Sequence, residues 1–340
     1  MNNDTQPRTE PEAPVLRWRA PVLYVAIIIA GLASIALTGA FALLFFDGDG
    51  AAETTTLVIP KGAGVRAVAQ TLEEHQAIVD ASVFALGVRL HRAQSELRAG
   101  EYTISQGATM AQILAMLRSG DTVSRRLSIP EGLTAQQIIM RLENVSSLSG
   151  TIVDVPPEGS LLPETYYYSL RDSRQDIIDR MQVAMQSSLA DLWPDRQEGL
   201  PIKTPEEAVI LASIIERETS RNGERAHIAG VFINRLRQGI ALQSDPTIIY
   251  GITGGEPLGR GLRRSEIKAK TPYNTYHFKG LPPTPISNPG IEAIRAVLHP
   301  LETKDLFFVA DGYGGHAFAE TYRQHKRNVK AWRKLLKSRR

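Results

Sequence analysis

The chain opens with one long apolar stretch and continues with short segments whose apolar positions recur at helical or alternating spacing. Residues 21–46 carry no charge and, at ~1.5 Å per residue, are long enough to cross a hydrocarbon core of ~30 Å. A cleaved signal peptide is the alternative, but its apolar region spans only about 7 to 15 residues. We therefore expect an uncleaved transmembrane helix, with Phe45 and Phe46 near the membrane interface.

The charges that flank this stretch have opposite signs. Arg17 and Arg19 precede it, whereas Asp47, Asp49 and Glu53 follow it. Because positively charged flanks stay on the cytoplasmic side of a membrane, residues 1–20 are predicted to form a cytoplasmic tail. The sequence therefore predicts a single-pass protein of the inner (cytoplasmic) membrane whose remaining residues lie in the periplasm or another extracytoplasmic space.

A small α+β module is predicted after a short polar linker at residues 48–55. The pattern predicts a strand at 56–60, a helix from Val65, a second helix at 81–90, a strand after Arg98 and a third helix ending at Gly120. From the pattern alone, this module could be a spacer or a carbohydrate-binding module.

A larger domain with helices and strands is predicted over residues 123–340. Its predicted elements are a strand at 123–129, a helix capped by Thr134, a loop at 144–160, an amphipathic helix at 174–192 and a hairpin at 306–321. The fold class is therefore predicted to be α+β, with an N-terminal transmembrane helix, a small α+β module and a larger mixed α/β domain.

The C-terminal segment is strongly basic. It holds nine lysines or arginines between Arg323 and Arg340 and no acidic residue, while Val329, Trp332, Leu335 and Leu336 recur at helical spacing. This pattern predicts a docking helix with a solvated basic face. Attraction to anionic lipid or wall polymer is the alternative.

Composition excludes several classes of function. The chain has 340 residues, of which 43% are hydrophobic and 22% charged, and this indicates a globular protein. The net charge of +3 is too small to indicate nucleic-acid binding. The absence of cysteine excludes disulfides, thiolate zinc sites and cysteine nucleophiles, and the scattered histidines show no zinc-binding motif. No metal or other cofactor is predicted.

The helix predicted from Pro205 to Thr219 carries the strongest candidate for catalysis. At about 100° per residue, Glu218 continues the apolar stripe of Leu211, Ile214 and Ile215. An inward carboxyl is costly to ionise, so Glu218 is a candidate general acid. The alternative is a carboxylate at the solvent boundary that pairs with Arg217, Arg221 or Arg225. Glu216 points nearly the opposite way and is expected to be a surface charge, or a charge behind the site.

Polar and aromatic residues are dense between Gln243 and Pro289. The stretch combines proline-bearing loops with Asp245, Asn274 and Tyr276. Such loops suit a sugar-binding cleft, because sugar hydroxyls need polar partners and sugar rings need aromatic platforms. Structural turns explain the same residues equally well.

Six strings in the chain together resemble the endolytic murein transglycosylases of the MltG (YceG-like) family. They are Leu161-Leu-Pro-Glu-Thr-Tyr166, Ala212-Ser-Ile-Ile-Glu-Arg-Glu-Thr219, Val231-Phe-Ile-Asn-Arg-Leu236, Leu242-Gln-Ser-Asp-Pro-Thr-Ile-Ile-Tyr-Gly251, Tyr273-Asn-Thr-Tyr276 with Gly280-Leu-Pro-Pro283, and Phe308-Val-Ala-Asp-Gly312 with Gly314-Gly-His316. The resemblance implies a LysM-like module at residues 55–120 and a YceG-like catalytic domain at 123–340.

The resemblance also implies a reaction and its residues. Glu218 would be the catalytic acid, and Gln243, Asp245, Asn274 and Tyr276 would bind substrate. The implied reaction is non-hydrolytic cleavage of the β-1,4 bond between N-acetylmuramic acid and N-acetylglucosamine in peptidoglycan glycan strands, alongside peptidoglycan synthases. Two alternatives remain: a muramidase-type hydrolase in which Asp245 or Glu164 activates water, and a non-catalytic wall-binding assembly protein.

Overall fold

The structure is a computed structural model that describes residues 19–48 and 50–339. Residues 1–18 of the predicted cytoplasmic tail, with Arg17, lie outside the described residues, as does Asp49. The chain divides into two compact units, Met1–Val123 and Ser124–Arg340.

Unit 1 begins with the predicted apolar helix. α1 spans Arg19–Ala42 and continues into one π-helical turn, Leu43–Asp47. The helical stretch Val22–Asp47 is long and apolar enough to cross a membrane, and its side chains from Val22 to Ala40 are exposed. These exposed aliphatic side chains are the surface that a lipid-spanning helix presents.

The rest of unit 1 is a two-stranded sheet covered by three helices. The elements are β1 (Thr55–Ile59), α2 (Val65–Glu74), α3 (Ala81–Leu90), β2 (Gly100–Ile104) and α4 (Met110–Ser119). β1 and β2 pair antiparallel with Leu57 opposite Tyr102, and both side chains enter the core. Asp80 caps α3 by accepting from the amides of Ser82 and Val83.

The apolar helix and the segment after it are joined to this core more closely than the sequence predicted. Phe45, expected near a membrane interface, is fully buried in the core of unit 1. The predicted polar linker is not free, because Ala51 is buried, donates to the carbonyl of Ala108 (3.2 Å) and accepts from Gly107 (2.9 Å). The π-helical turn therefore connects directly to a packed module.

Unit 2 contains eight helices of the described chain and two antiparallel pairs of strands. Its elements are β3 (Arg125–Ser128), α5 (Ala135–Glu143), β4 (Thr165–Tyr168), α6 (Arg174–Leu192), a 3₁₀ turn (Trp193–Asp195), α7 (Pro205–Glu218), α8 (Asn222–Arg237), α9 (Asp245–Thr253), α10 (Arg264–Lys268), α11 (Ile291–Leu298), β5 (Phe307–Ala310), β6 (His316–Ala319) and α12 (Tyr322–Ser338). β3 pairs with β4, and β5 pairs with β6.

Two hydrophobic clusters hold unit 2 together. One forms where α7, α8 and α11 pack, and the other joins α5 and α6 to the two-stranded β3–β4 sheet. α7 lies in the first cluster and buries Leu211, Ile214 and Ile215 completely. The helix that carries Glu218 is therefore fixed by apolar contacts along its length.

The basic helix α12 docks on the β5–β6 hairpin, as its apolar spacing predicted. Trp332 and Leu335 are partly buried, and Asn328 donates to the carbonyl of Phe318. Leu336 differs from the prediction, because it is exposed.

Candidate active site

Local sequence signals define where α7 begins and ends. Thr204 accepts from the amide of Glu207 (3.3 Å), and Pro205 occupies the first helical position, where its missing N–H is not needed. Glu218 is the last helical residue, and Thr219 is already extended. Glu218 therefore lies at the C-terminal end of α7, where side chains from later segments of the chain can reach it.

Glu218 is a partly buried carboxyl with one hydrogen-bond partner among the described residues. Ser244 Oγ donates to Glu218 Oε1 at 2.6 Å. Burial raises the pKa of Glu218 from 4.5 to about 7, and the charge of Asp245 adds to the rise. The Ser244 bond, His316 and Arg235 act in the opposite direction. Near neutral pH the carboxyl therefore populates both the protonated and the ionised form, as an acid that later acts as a base requires.

Ser244 is positioned by the loop that precedes α9. It is buried, and its amide donates to Thr275 Oγ1 (3.0 Å). The amide of Gln243 donates to the carbonyl of Thr275 (3.0 Å), while Thr247 Oγ1 donates to the carbonyl of Ser244. These bonds join two loops that are about 30 residues apart in sequence and direct the Ser244 hydroxyl at Glu218.

Gln243 adopts an uncommon backbone conformation beside this serine. Its φ of 53° lies in the left-handed region, which non-glycine residues seldom occupy. Its side chain is exposed. Such conformations persist where the surrounding structure imposes them, and they cluster at functional sites.

Asp245 and Tyr276 form a second polar pair near Glu218. Tyr276 Oη donates to Asp245 Oδ1 at 2.7 Å. Burial and the Asp245 carboxylate both raise the pKa of Tyr276, so this phenol stays a hydrogen-bond donor at neutral pH. Asp245 is exposed and carries its charge close enough to raise the pKa of Glu218. The acid and the Asp245 carboxylate therefore share one site.

Arg235, which the sequence did not single out, is the main buried cation of this region. It is 6% exposed, and it donates to the carbonyls of Leu306 (2.7 Å) and Leu242 (2.5 Å). Burial lowers its pKa, while Tyr276 and Glu218 favour its charged form. Arg235 thus joins the residue before β5 to the Ser244 loop and offsets part of the local negative charge.

His316 and Glu224 form a further pair that the sequence did not single out. His316 Nδ1 lies 2.7 Å from Glu224 Oε2, and the His316 amide donates to Glu224 Oε1. The charge of His316 lowers the pKa of Glu218, so the imidazole lies near the carboxyl. The glycine-rich turn before His316 was the available signal, but a lone histidine specifies no partner.

The chain is similar to a known protein family. The model of the YceG-like family matches residues 57–331, which is most of the chain. The chain belongs to the YceG-like family.

Individual relatives extend this YceG-like match. An endolytic murein transglycosylase of Bacillus subtilis strain 168 is 28% identical over 305 residues, covering 81% of this chain and 83% of that protein. One of Streptococcus pneumoniae D39 is 27% identical over 323 residues, covering 81% of this chain and 57% of that relative. A crystal structure of a putative YceG-like protein from Listeria monocytogenes aligns with a TM-score of 0.50 at 28% identity, covering 81% of this chain and 98% of that one.

Asn274, which the resemblance implied to bind substrate, lies inside the loop before Tyr276 in this YceG-like chain. It is fully buried, and its side-chain amide donates to the carbonyls of Ile267 (3.0 Å) and Ala269 (2.6 Å). Its Oδ1 accepts from the amide of Tyr276. Asn274 therefore shapes the loop that presents Tyr276, whereas Gln243, Asp245 and Tyr276 remain accessible.

The predicted surface position of Glu216 is wrong. Its side chain is 5% exposed, and it pairs with Arg225 (2.7 Å) and accepts from the amide of Gly290. Arg225 also binds Glu131 (2.8 Å). The helical wheel placed Glu216 opposite the core of α7, but the loop before α11 covers that face.

The arginines that could have neutralised Glu218 have other partners. Arg217 donates to the carbonyl of Gly132, Arg221 donates to the carbonyl of Tyr313, and Arg225 binds Glu216. Within residues 19–48 and 50–339, Glu218 forms no ion pair, and no group of three or more histidine or acidic side chains could hold a metal ion.

Proposed function

We propose that this chain is a membrane-anchored endolytic murein transglycosylase that cleaves glycan strands without water. The names of its relatives and its family membership support the activity. The observation that carries the chemistry is the Glu218 carboxyl, which has a pKa of about 7, a serine donor and no ion pair in the described chain. A single group of this kind can donate a proton and then recover one.

The reaction begins with proton transfer from Glu218 to the glycosidic oxygen between N-acetylmuramic acid and N-acetylglucosamine. The bond from C1 of the muramyl sugar to this oxygen breaks, and positive charge develops at C1 and the ring oxygen. The Glu218 carboxylate then takes the proton of the C6 hydroxyl, whose oxygen bonds to C1. The product is a 1,6-anhydromuramyl end, one proton has been given and one recovered, and no water or cofactor is consumed.

Asp245 and Tyr276 are suited to stabilise this transition state. The exposed Asp245 carboxylate offers negative charge to the oxocarbenium-like sugar, and Tyr276 holds that carboxylate through a 2.7 Å bond. Gln243 supplies an exposed amide to the sugar hydroxyls. Asn274 has an indirect role, because it fixes the loop that carries Tyr276.

Hydrolysis is the second candidate, and the closeness of Asp245 to Glu218 favours it. A carboxylate near the acid can activate water, as in inverting glycosidases. Glu164, the other base considered from the sequence, is an exposed residue beside β4. The two reactions leave chemically different ends, because hydrolysis adds one water to the products and transglycosylation adds none.

Digestion of purified sacculi tests the proposal. The full chain in detergent should release fragments with anhydromuramyl ends, as measured by mass spectrometry. Glu218→Gln, which keeps the side-chain size and an acceptor for Ser244, should release none. The matched control is Glu206→Gln, an exposed residue in the first turn of the same helix. Undiminished product from Glu218→Gln would refute the assignment, and reducing ends that carry an added water would establish the hydrolase.

A wall-binding protein without activity is distinguished by the same variants. It would bind sacculi equally in wild type and Glu218→Gln and would release nothing in either case. For the transglycosylase, we propose that the LysM-like module at 55–120 contacts glycan and that the domain at 123–340 cuts it. Partnership with peptidoglycan synthases, in which cleavage ends or trims nascent strands, is part of the same proposal.

Anchoring follows from the apolar helix. We propose that Val22–Asp47 crosses the inner membrane once, with the N-terminus in the cytoplasm and with the module at 55–120 and unit 2 on the other side. The support is the length and exposure of this helix, together with the acidic residues Asp47 and Glu53 at its C-terminal flank.

A further inference from the structure

The end of the apolar helix is packed into unit 1 through one aromatic ring. The ring of Phe45 is fully buried, stacks on Phe41 with centroids 5.3 Å apart and stacks on His91 at 5.8 Å. It lies against the bare backbone of Gly87 in α3, where an added Cβ would be 2.0 Å from the ring. Helix α3 is therefore in direct contact with the last turn of the membrane-spanning stretch.

The connection beyond this turn is short and also anchored. Ala51 is buried and bonded to both Gly107 and Ala108, only four residues after Asp47. The module consequently has little freedom to move away from the end of the helix. Whatever depth Phe45 has in a bilayer, α3 lies at a similar depth.

The length of the apolar stretch places that depth in the interfacial layer. Residues 21–46 extend roughly 39 Å as a helix, whereas the hydrocarbon core is ~30 Å thick and the bilayer with its headgroups ~40–45 Å. The final turn, with Phe41 and Phe45, therefore falls among the headgroups and the upper acyl chains.

The part of α3 nearest to Phe45 exposes an apolar ridge. At about 100° per residue, Leu90 lies about 60° and Leu86 about 100° around the helix from Gly87. Leu90 is 62% exposed and Leu86 46% exposed, and they are one helical turn apart. Within the described chain, no element of the protein covers them.

Basic side chains border this ridge. Arg89 and Arg92 are exposed, and neither forms an ion pair within the described residues. Apolar side chains beside unpaired arginines are the composition of helices that lie in a membrane interface, where guanidinium groups reach lipid phosphates.

We propose that the C-terminal half of α3 is a second membrane contact of unit 1, with Leu86 and Leu90 in the upper acyl region and Arg89 and Arg92 at the phosphates. The occupant is the lipid of the same bilayer that the apolar helix crosses. The inference rests on the anchor proposed above. Its consequence is that the module is held flat against the membrane surface instead of projecting freely.

Because the chain has no cysteine, single labels can test this directly. In the full chain with Leu90→Cys, the new cysteine is labelled with an environment-sensitive fluorophore. The labelled protein is reconstituted into vesicles of equal parts phosphatidylcholine and phosphatidylglycerol. The matched control is Val58→Cys, since Val58 is also apolar, is 46% exposed and lies on the sheet face away from the core. Leu32→Cys, at the middle of the apolar helix, reports the anchor itself.

The depth of each label in the bilayer is measured with lipids that carry a quencher either near the headgroup (shallow) or near the end of the acyl chain (deep). We expect shallow quenchers to reduce Leu90 emission at least several-fold more than Val58 emission, and deep quenchers to act on Leu32. Equal, weak quenching at Leu90 and Val58 with strong quenching at Leu32 would overturn the inference and leave the anchor intact. No quenching at Leu32 would overturn both, while sacculus digestion would still report the activity separately.

Discussion

The hydrogen bond from Ser244 to Glu218 provides a graded test of the proposed acid. Ser244→Ala removes the donor at 2.6 Å that favours the ionised carboxylate. A hydrogen bond to a charged group contributes about 1.5–3 kcal/mol and a neutral one about 1 kcal/mol. The difference between the two protonation states is therefore about 1 kcal/mol, which is somewhat under one pKa unit, since one unit is about 1.4 kcal/mol.

The expected result is an upward shift in the pH profile. Activity that needs protonated Glu218 declines as pH rises through its pKa, which is about 7 in the wild type. In Ser244→Ala this decline should occur at a pH higher by up to about one unit. Asp245→Asn should shift it in the opposite direction, because the Asp245 charge raises the pKa of Glu218.

The assay is the release of soluble fragments from sacculi, with kcat/KM measured across pH for each variant. Ser220→Ala serves as the control, because Ser220 is exposed and follows the same helix. Circular dichroism verifies that each variant is folded. A basic limb that stays in place in Ser244→Ala, or moves to lower pH, would show that Ser244 does not tune the catalytic proton.

Three further predictions concern stability. Glu218 has its pKa raised from 4.5 to about 7, so folding favours the neutral acid; this advantage is complete below pH 4.5 and is lost as pH rises through 7. Above pH 7, the free energy of unfolding of Glu218→Gln in urea should therefore exceed that of wild type by up to about 3 kcal/mol, whereas at pH 4 the two proteins should be equally stable. Equal stability of the two proteins at both pH values would contradict the raised pKa of Glu218. Arg225→Met leaves the buried Glu216 carboxylate beside Glu131 without a cation and should lower the free energy of unfolding by about 3–5 kcal/mol. The control Arg171→Met, at an exposed arginine, should change it little. An unchanged free energy of unfolding in Arg225→Met would show that the Arg225–Glu216 ion pair does not stabilise the fold. Gly87→Ala places a methyl group against Phe45 and should destabilise unit 1 by about 1–3 kcal/mol, while Gly64→Ala, with open space around it, should be tolerated in the same thermal-unfolding measurement.

Local signals in the sequence predicted most elements, because they depend on neighbours along the chain. Helix 174–192 and the helix over 81–90 have the predicted bounds, and Thr134 is an N-cap as predicted. Caps, proline at the first helical position and apolar periodicity each act within one or two turns. The same periodicity placed Glu218 on the inward face of α7.

The neighbours of Glu218 could not be predicted without the tertiary structure. Ser244, Asp245 and His316 reach it from segments that are 26 or more residues away in sequence. The sequence included Ser244 and His316 in matching strings but gave no reason to pair either with Glu218. Glu216 shows the same limit, because a helical wheel describes a single helix and cannot tell which later segment covers its other face.

The sequence by itself determined that the chain carries one lipid-compatible helix, that α7 ends with an inward carboxyl and that no thiol chemistry is available. Residue type and short-range periodicity suffice for such properties, since they follow from transfer free energies and helix geometry. Only the tertiary structure decided that Phe45 is buried in the core of unit 1, that Glu216 is buried and that the pKa of Glu218 is raised to about 7. Burial and electrostatic interactions depend on distances through space, and folding brings together groups that the linear order leaves far apart.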